Sequence, residues 1–237
     1  MSKAFKNQFV IPKFDDFCNR ISDIYEDCKT ITEGNVASYI PQLASYSPDY
    51  WGVSICTVDG QKYNQGDVNI PFTMQSCSKP FTYAVCLNEL GSETVHQYVG
   101  QEPSGRMFNN LCLDYNNKPH NPLLNSGAIM SSALLLHKVN PGMPMSSKFD
   151  LLMTYFNKMA GGDVIGFNNS VFLSERDTAD RNFALAYFMK ENKCFPNGFN
   201  LQETLDFYFQ VFLIKCFFLN TLYPEYNIRF DRPAVWS

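Results

Sequence analysis

The densest group of reactive side chains in this 237-residue chain is Gln75-Ser76-Cys77-Ser78-Lys79-Pro80. Ser76 and Lys79 stand three residues apart at the start of an expected helix, a spacing that puts both on one face. A serine hydroxyl is a poor nucleophile until a neighbouring base takes its proton. A lysine amine can be that base once burial lowers its pKa, because only the neutral amine accepts a proton. The chemistry of such a pair is attack on a carbonyl carbon. Spacing alone also fits Ser76 as a helix cap and Lys79 as a solvated charge, and a chain of this length holds about one Ser-x-x-Lys by chance. Two features weigh towards chemistry: the pair follows directly on a predicted hairpin and loop, and no second Ser-x-x-Lys occurs in the chain.

Other chemistries find little support. His96, His120 and His137 stand singly, at no ligand spacing to another His or Cys. The eight cysteines form no Cys-x-x-Cys pair, and they read as buried free thiols in a reducing compartment. No metal site is expected. Net charge is −4 without a basic block, which argues against a nucleic-acid partner. The longest apolar run, Val211 to Leu219, contains Lys215 and is about half the length of a bilayer-spanning helix. The start, MSKAFKNQFVIPKF, reads neither as a secretory signal nor as a transit peptide. A soluble intracellular domain with no membrane partner is the expectation.

The elements that must position the pair follow from periodicity. Phe17, Ile21, Ile24 and Tyr25 predict an amphipathic helix over 14–27. From Trp51 the period changes to two, and Asp59-Gly60 predicts a hairpin whose return strand is Gln61 to Gln65. Helices are predicted over 76–89, stopped by Gly91, then within 121–137, which begins in a Pro-containing loop and continues as a small-residue-rich helix, and over 149–159, 178–191 and 201–212. No other convincing hairpin lies downstream. A lone hairpin is marginal in water, so a partner layer is required.

Six blocks carry a resemblance: YIPQLASYSPDYWGVSICTVDGQ, QSCSKP, HNPLLNSGAI, NKMAG, SERDTADRNFA and LDFYFQ. In order and without large gaps from Phe9 to Gln210, they resemble the catalytic domain of the serine-dependent glutaminases, nearest the animal kidney-type, phosphate-activated branch. The resemblance implies an α/β fold of the β-lactamase and penicillin-binding-protein kind, a helical cluster against an antiparallel sheet. It implies hydrolysis of L-glutamine to L-glutamate and ammonia through a serine acyl-enzyme, with no metal or organic cofactor and phosphate as an activator. A homotetramer and a mitochondrial location are implied in the same way. A penicillin-binding or β-lactamase-type acyl transferase, which shares the Ser-x-x-Lys pair, would not share NPLLNSGAI and SERDTADRN.

Carried onto matching positions, the resemblance makes Ser76 the nucleophile, Lys79 its base and Tyr39 a contact of the substrate and the reacting centre. Asn125, Glu175, Asn182 and Tyr208 become further substrate contacts. Free glutamine brings an α-ammonium and an α-carboxylate that need partners once desolvated; Glu175 can face the ammonium, and the amides and hydroxyls can hydrogen-bond the rest. Plainer roles exist for each. Asn125 and Asn182 could be caps or local turn formers, Glu175 a capping-box residue or a surface partner of Arg176 or Arg181, and the tyrosines core aromatics. Gly105 to Asn117 matches the family's gating and effector-sensitive loop. After Gln210 the resemblance stops, so 1–210 reads as a partial catalytic domain and 211–237 as a divergent tail. The expectation is that later sheet strands, a second catalytic tyrosine and an oxyanion donor are missing, and that the chain alone is inactive, a truncated subunit or regulator, or the product of a faulty gene model.

Overall fold

Residues 9–161, 165–212 and 214–216 are described by the computed structural model, and they fall into two units. The first holds the described residues of 1–72, 157–166 and 215–228; the second holds those of 73–156, 167–214 and 229–237.

In the first unit, helix α1 (Phe14–Lys29) carries Asp15 and Asp16 in its first turn and Lys29 in its last, as the helix dipole prefers. Its inward residue is Tyr25, 7% exposed. A single turn, α2 (Pro41–Ala44), follows with Pro at its first position. The hairpin then forms from β1 (Gly52–Cys56) and β2 (Lys62–Gly66), antiparallel, with Ser54 opposite Asn64. Its loop departs from a mirror-image turn, which needs two residues at positive φ. Only Gly60 has positive φ, at 83°; its N–H donates to Thr57 O at 2.9 Å, and Thr57 N–H donates to Gln61 O at 2.9 Å. Tyr25 closes α1 onto the hairpin: its hydroxyl donates to Trp51 O at 3.0 Å and its carbonyl accepts from Trp51 Nε1 at 3.2 Å. Gly66, at φ 77°, is required there, because a Cβ would lie 2.2 Å from Trp51 O.

After β3 (Phe72–Thr73), the second unit opens with a 3-10 turn over Gln75–Ser78 that runs into α3 (Lys79–Leu90) and a single turn α4 (Ser92–Val95). Gly91, at φ 76°, ends α3 as the sequence predicts. Helix α5 (Asn125–His137) is the axis of this unit, buried at every position from Asn125 to Leu136. The hydroxyls of Ser131 and Ser132 donate back to Gly127 O and Ala128 O at 3.0 and 3.1 Å, so a helix with serines can lie wholly inside. Along the chain follow α6 (Met145–Met159), β4 (Gly166–Phe167), α7 (Asn169–Asp177), α8 (Asp180–Glu191), α9 (Leu201–Phe212) and β5 (Ile214–Cys216). Helix α5 packs on α3, α8 and α9, and α9 packs on α7, α8 and the 3-10 turn.

Three differences from the sequence reading stand out. The strands β3, β4 and β5 pair in the order β3-β5-β4, where the sequence offered no other convincing hairpin downstream of the first. At two or three residues each they are too short to show a period. Helix α7 was read as a motif; Asn168 caps it through its side chain, which accepts from Val171 N–H at 3.2 Å. The seven described cysteines are free, yet only Cys86 and Cys194 are buried and Cys77 is exposed. The expected tail lies outside the described residues from Phe217 onward.

Gly127 packs directly under the loop that leads into α5: a Cβ there would sit 1.9 Å from Asn121 O and 2.7 Å from Pro122 Cα. Gly127→Ala is therefore expected to lower the free energy of unfolding by about 1–3 kcal/mol, although alanine is the better helix former. Denaturant titration checks it; an unchanged or raised midpoint contradicts the packing argument.

Candidate active site

Ser76 is presented by backbone geometry. Gln75 before it has φ 50°, a left-handed value that a side chain adopts only under constraint. The turn is held by Cys77 N–H donating to Met74 O at 2.9 Å and Ser78 Oγ donating to Gln75 O at 2.7 Å. Ser76 is left exposed at its crest, while Ser78 and Lys79 turn inward. Met74 N–H donates to Ile214 O at 2.8 Å and anchors the start of the turn.

Lys79 is the first residue of α3 and is only 4% exposed. A cation is disfavoured at a helix N-terminus and disfavoured again by burial. Burial pushes the amine down from the usual 10.5 to about 8. Its Nζ donates to Asn125 Oδ1 at 2.7 Å, a neutral acceptor that holds the amine without restoring a high pKa. Asn125 Nδ2 in turn donates to Asn182 Oδ1 at 2.9 Å. Lys79, Asn125 and Asn182 thus form a hydrogen-bonded chain across α3, α5 and α8.

The loop before α5 covers this chain. Asn125 N–H donates to Phe108 O at 3.0 Å, and the Phe108 ring lies 5.8 Å from Lys79 Nζ. Arg181, beside Asn182, donates from Nε to Asn109 O at 2.9 Å. Phe108 and the Arg181 contact carry no spacing signal in the sequence; the resemblance alone marked 105–117.

Glu175 is 7% exposed on α7 and Tyr208 is 3% exposed on α9, two helices that pack on each other. The Tyr208 ring lies 5.4 Å from Phe209 and 5.5 Å from Phe212, so the core-aromatic role applies whatever else it does. Of the two arginines considered as surface partners of Glu175, Arg176 donates from Nε to Asp206 Oδ1 at 2.7 Å and Arg181 from Nε to Asn109 O at 2.9 Å. Tyr39 belongs to the first unit and is 56% exposed. Among the described residues, no group of three or more His, Cys, Asp or Glu could hold a metal ion, and no helix is long and apolar enough to cross a membrane.

A buried, weakly basic amine one turn from an exposed serine, with amides arrayed beside it, suits acyl transfer from an amide. Comparison with known proteins decides the family, because the glutaminase family model matches residues 34–220. The chain belongs to the glutaminase family. It is 54% identical over 212 residues to putative glutaminase 2 of Caenorhabditis elegans, covering 89% of this chain and 34% of that protein. It is 48% identical over 211 residues to the mitochondrial liver isoform of glutaminase from Rattus norvegicus, again 89% of this chain and 34% of the relative. This glutaminase chain therefore spans about a third of the length of these animal relatives. The solved structure of Mglu in its native form shares 29% identity at a TM-score of 0.75, covering 84% of this chain and 47% of Mglu. A probable glutaminase, ybaS, shares the fold at a TM-score of 0.78, over 87% of this chain and 65% of that one. The fold is β-lactamase-like, helix-rich with an antiparallel sheet.

The lowered amine predicts a pH signature in stability. The folded chain binds fewer protons at Lys79 than the unfolded chain between about pH 8 and 10.5. The destabilisation by burial is full below that window and fades as pH rises through it. Relative to Lys79→Met, the unmodified chain should gain roughly 2 kcal/mol between pH 7 and pH 10. Chemical denaturation at both pH values measures it, and a constant difference contradicts a depressed amine.

Proposed function

We propose that the reaction of this site is hydrolysis of L-glutamine to L-glutamate and ammonia through an acyl-enzyme on Ser76. Family membership supports the substrate; the observation that carries the residue roles is the bond from buried Lys79 to Asn125. The neutral amine takes the Ser76 proton as the oxygen attacks the side-chain amide carbon. The acyl–oxygen bond forms, the C–N bond breaks and the protonated amine returns a proton to the leaving ammonia. Water then hydrolyses the ester by the reverse proton path.

Asn125, Asn182 and Tyr208 supply neutral hydrogen bonds to glutamine, and Glu175 faces its α-ammonium; a substrate contact by Tyr39 rests on the family resemblance alone. No metal or organic cofactor takes part in this reading, and phosphate acts as an activator. A mitochondrial location is part of the proposal, supported by relatives named mitochondrial; assembly into tetramers belongs to it on the family resemblance alone.

Ser76 acylation is tested by treating the chain with an electrophilic glutamine analogue, a diazoketone, and mapping the adduct by mass spectrometry. One adduct on Ser76, lost in Ser76→Ala and slowed by about 10²-fold or more in Lys79→Met, is expected. An adduct confined to exposed Cys77, or undiminished labelling in Ser76→Ala, overturns the assignment. For Glu175→Gln, calorimetry should show L-glutamate binding weakened by about 2–5 kcal/mol with little change in melting temperature. Unchanged binding with a lowered melting temperature would make Glu175 structural.

A further inference from the structure

The contacts around Lys79 close into a ring. Asn125 Oδ1 accepts from Lys79 Nζ at 2.7 Å, Asn125 N–H donates to Phe108 O at 3.0 Å, and the Phe108 side chain returns over the amine, with Nζ 5.8 Å from the ring centroid. Phe108 thus meets the base twice, through Asn125 by its carbonyl and directly by its aromatic face. Its side chain is 55% exposed, so core burial does not account for its position. A cation within about 6 Å of an aromatic face is attracted by the ring quadrupole, and a neutral amine lacks the charge for that attraction. The difference matters where a charge appears during reaction. As Lys79 takes the proton, the Ser76 O–H bond breaks, an N–H bond forms, and positive charge develops on an Nζ buried from water. A carboxylate would hold that charge permanently; a ring face answers it only when it forms. An interaction stronger in the charged state than in the neutral one speeds the step that creates the charge.

Resting on the reading of Lys79 as the base for Ser76, we propose that the Phe108 ring stabilises the lysine ammonium formed during attack. In this role Phe108 acts through Lys79 and not on the substrate. A ring that served only as a cover would have the opposite effect, because keeping water from Nζ disfavours the charged form. Leucine at this position keeps an apolar cover and removes the aromatic face. The two roles therefore differ in the sign of the change at Lys79.

The first measurement is an NMR titration of the Lys79 side chain in the full chain and in two variants. Phe108→Leu should lower the midpoint by about half a pH unit, the shift given by an about threefold weaker preference for the charged amine. Phe108→Tyr, which restores the ring, should recover most of that shift. The second measurement is the rate of Ser76 labelling by the diazoketone at about pH 9, above the midpoint, where the amine starts neutral. Labelling should slow by about threefold in Phe108→Leu and recover in Phe108→Tyr. Hydrogen exchange at the Asn125 amide accompanies both, and its protection should be kept in each variant. A raised or unchanged midpoint, unslowed labelling, or lost Asn125 protection in Phe108→Leu overturns the proposal, since each makes the ring a cover or a prop. An unmodified chain that gives no Ser76 adduct, or whose Lys79 titrates at 10.5, overturns the reading of the base itself, and this inference with it.

Discussion

A lysine amine held out of water by one neutral acceptor is the constraint on which the site depends. Lys79 could relieve its burial by reaching solvent or by pairing with a carboxylate. The structure allows it Asn125 instead. A carboxylate would stabilise the ammonium and raise its pKa; an amide oxygen orients the amine and leaves it weakly basic. Every element around that bond can be read as maintaining it. Helix α5 is buried along its length and brings Asn125 to Lys79 at its first turn, and α8 brings Asn182 to the far side of Asn125.

This arrangement explains why small residues fill the start of α5. Gly127 allows the 121–124 loop to lie on the helix, and that loop delivers Asn125 at the helix N-terminus. The loop before it returns the favour through Phe108 O, which accepts from Asn125 N–H. Helix α9 packs on α5, α7, α8 and the Ser76 turn, so one buried helix relates most of the elements bearing candidate residues in the second unit.

Much of this was legible in the sequence, for local reasons. Ser76 and Lys79 are three residues apart at the expected helix start, and the structure has the 3-10 turn and α3 there, with Ser76 exposed and Lys79 buried. Residues 201–212 show a helical period, and the structure has α9 over the same span. The hairpin was visible from its alternation and from Asp59-Gly60. What was not legible is non-local or short. The Asn125–Asn182 bond joins residues 57 apart. The depth of Lys79 depends on packing that its neighbours, exposed Pro80 and Cys77, do not announce. Strands β4 and β5 carry too few residues for a pattern, and the Arg176–Asp206 ion pair joins residues 30 apart across the helix pair.

The central claim is that Lys79 is a weak base in the folded chain. Its most direct measurement is an NMR titration of the Lys79 side chain, assigned by comparison with Lys79→Met, in the folded protein from pH 6 to pH 11. The account predicts a midpoint near 8. A midpoint at the ordinary value of 10.5 would show that the amine stays charged at neutral pH and cannot serve as the base for Ser76.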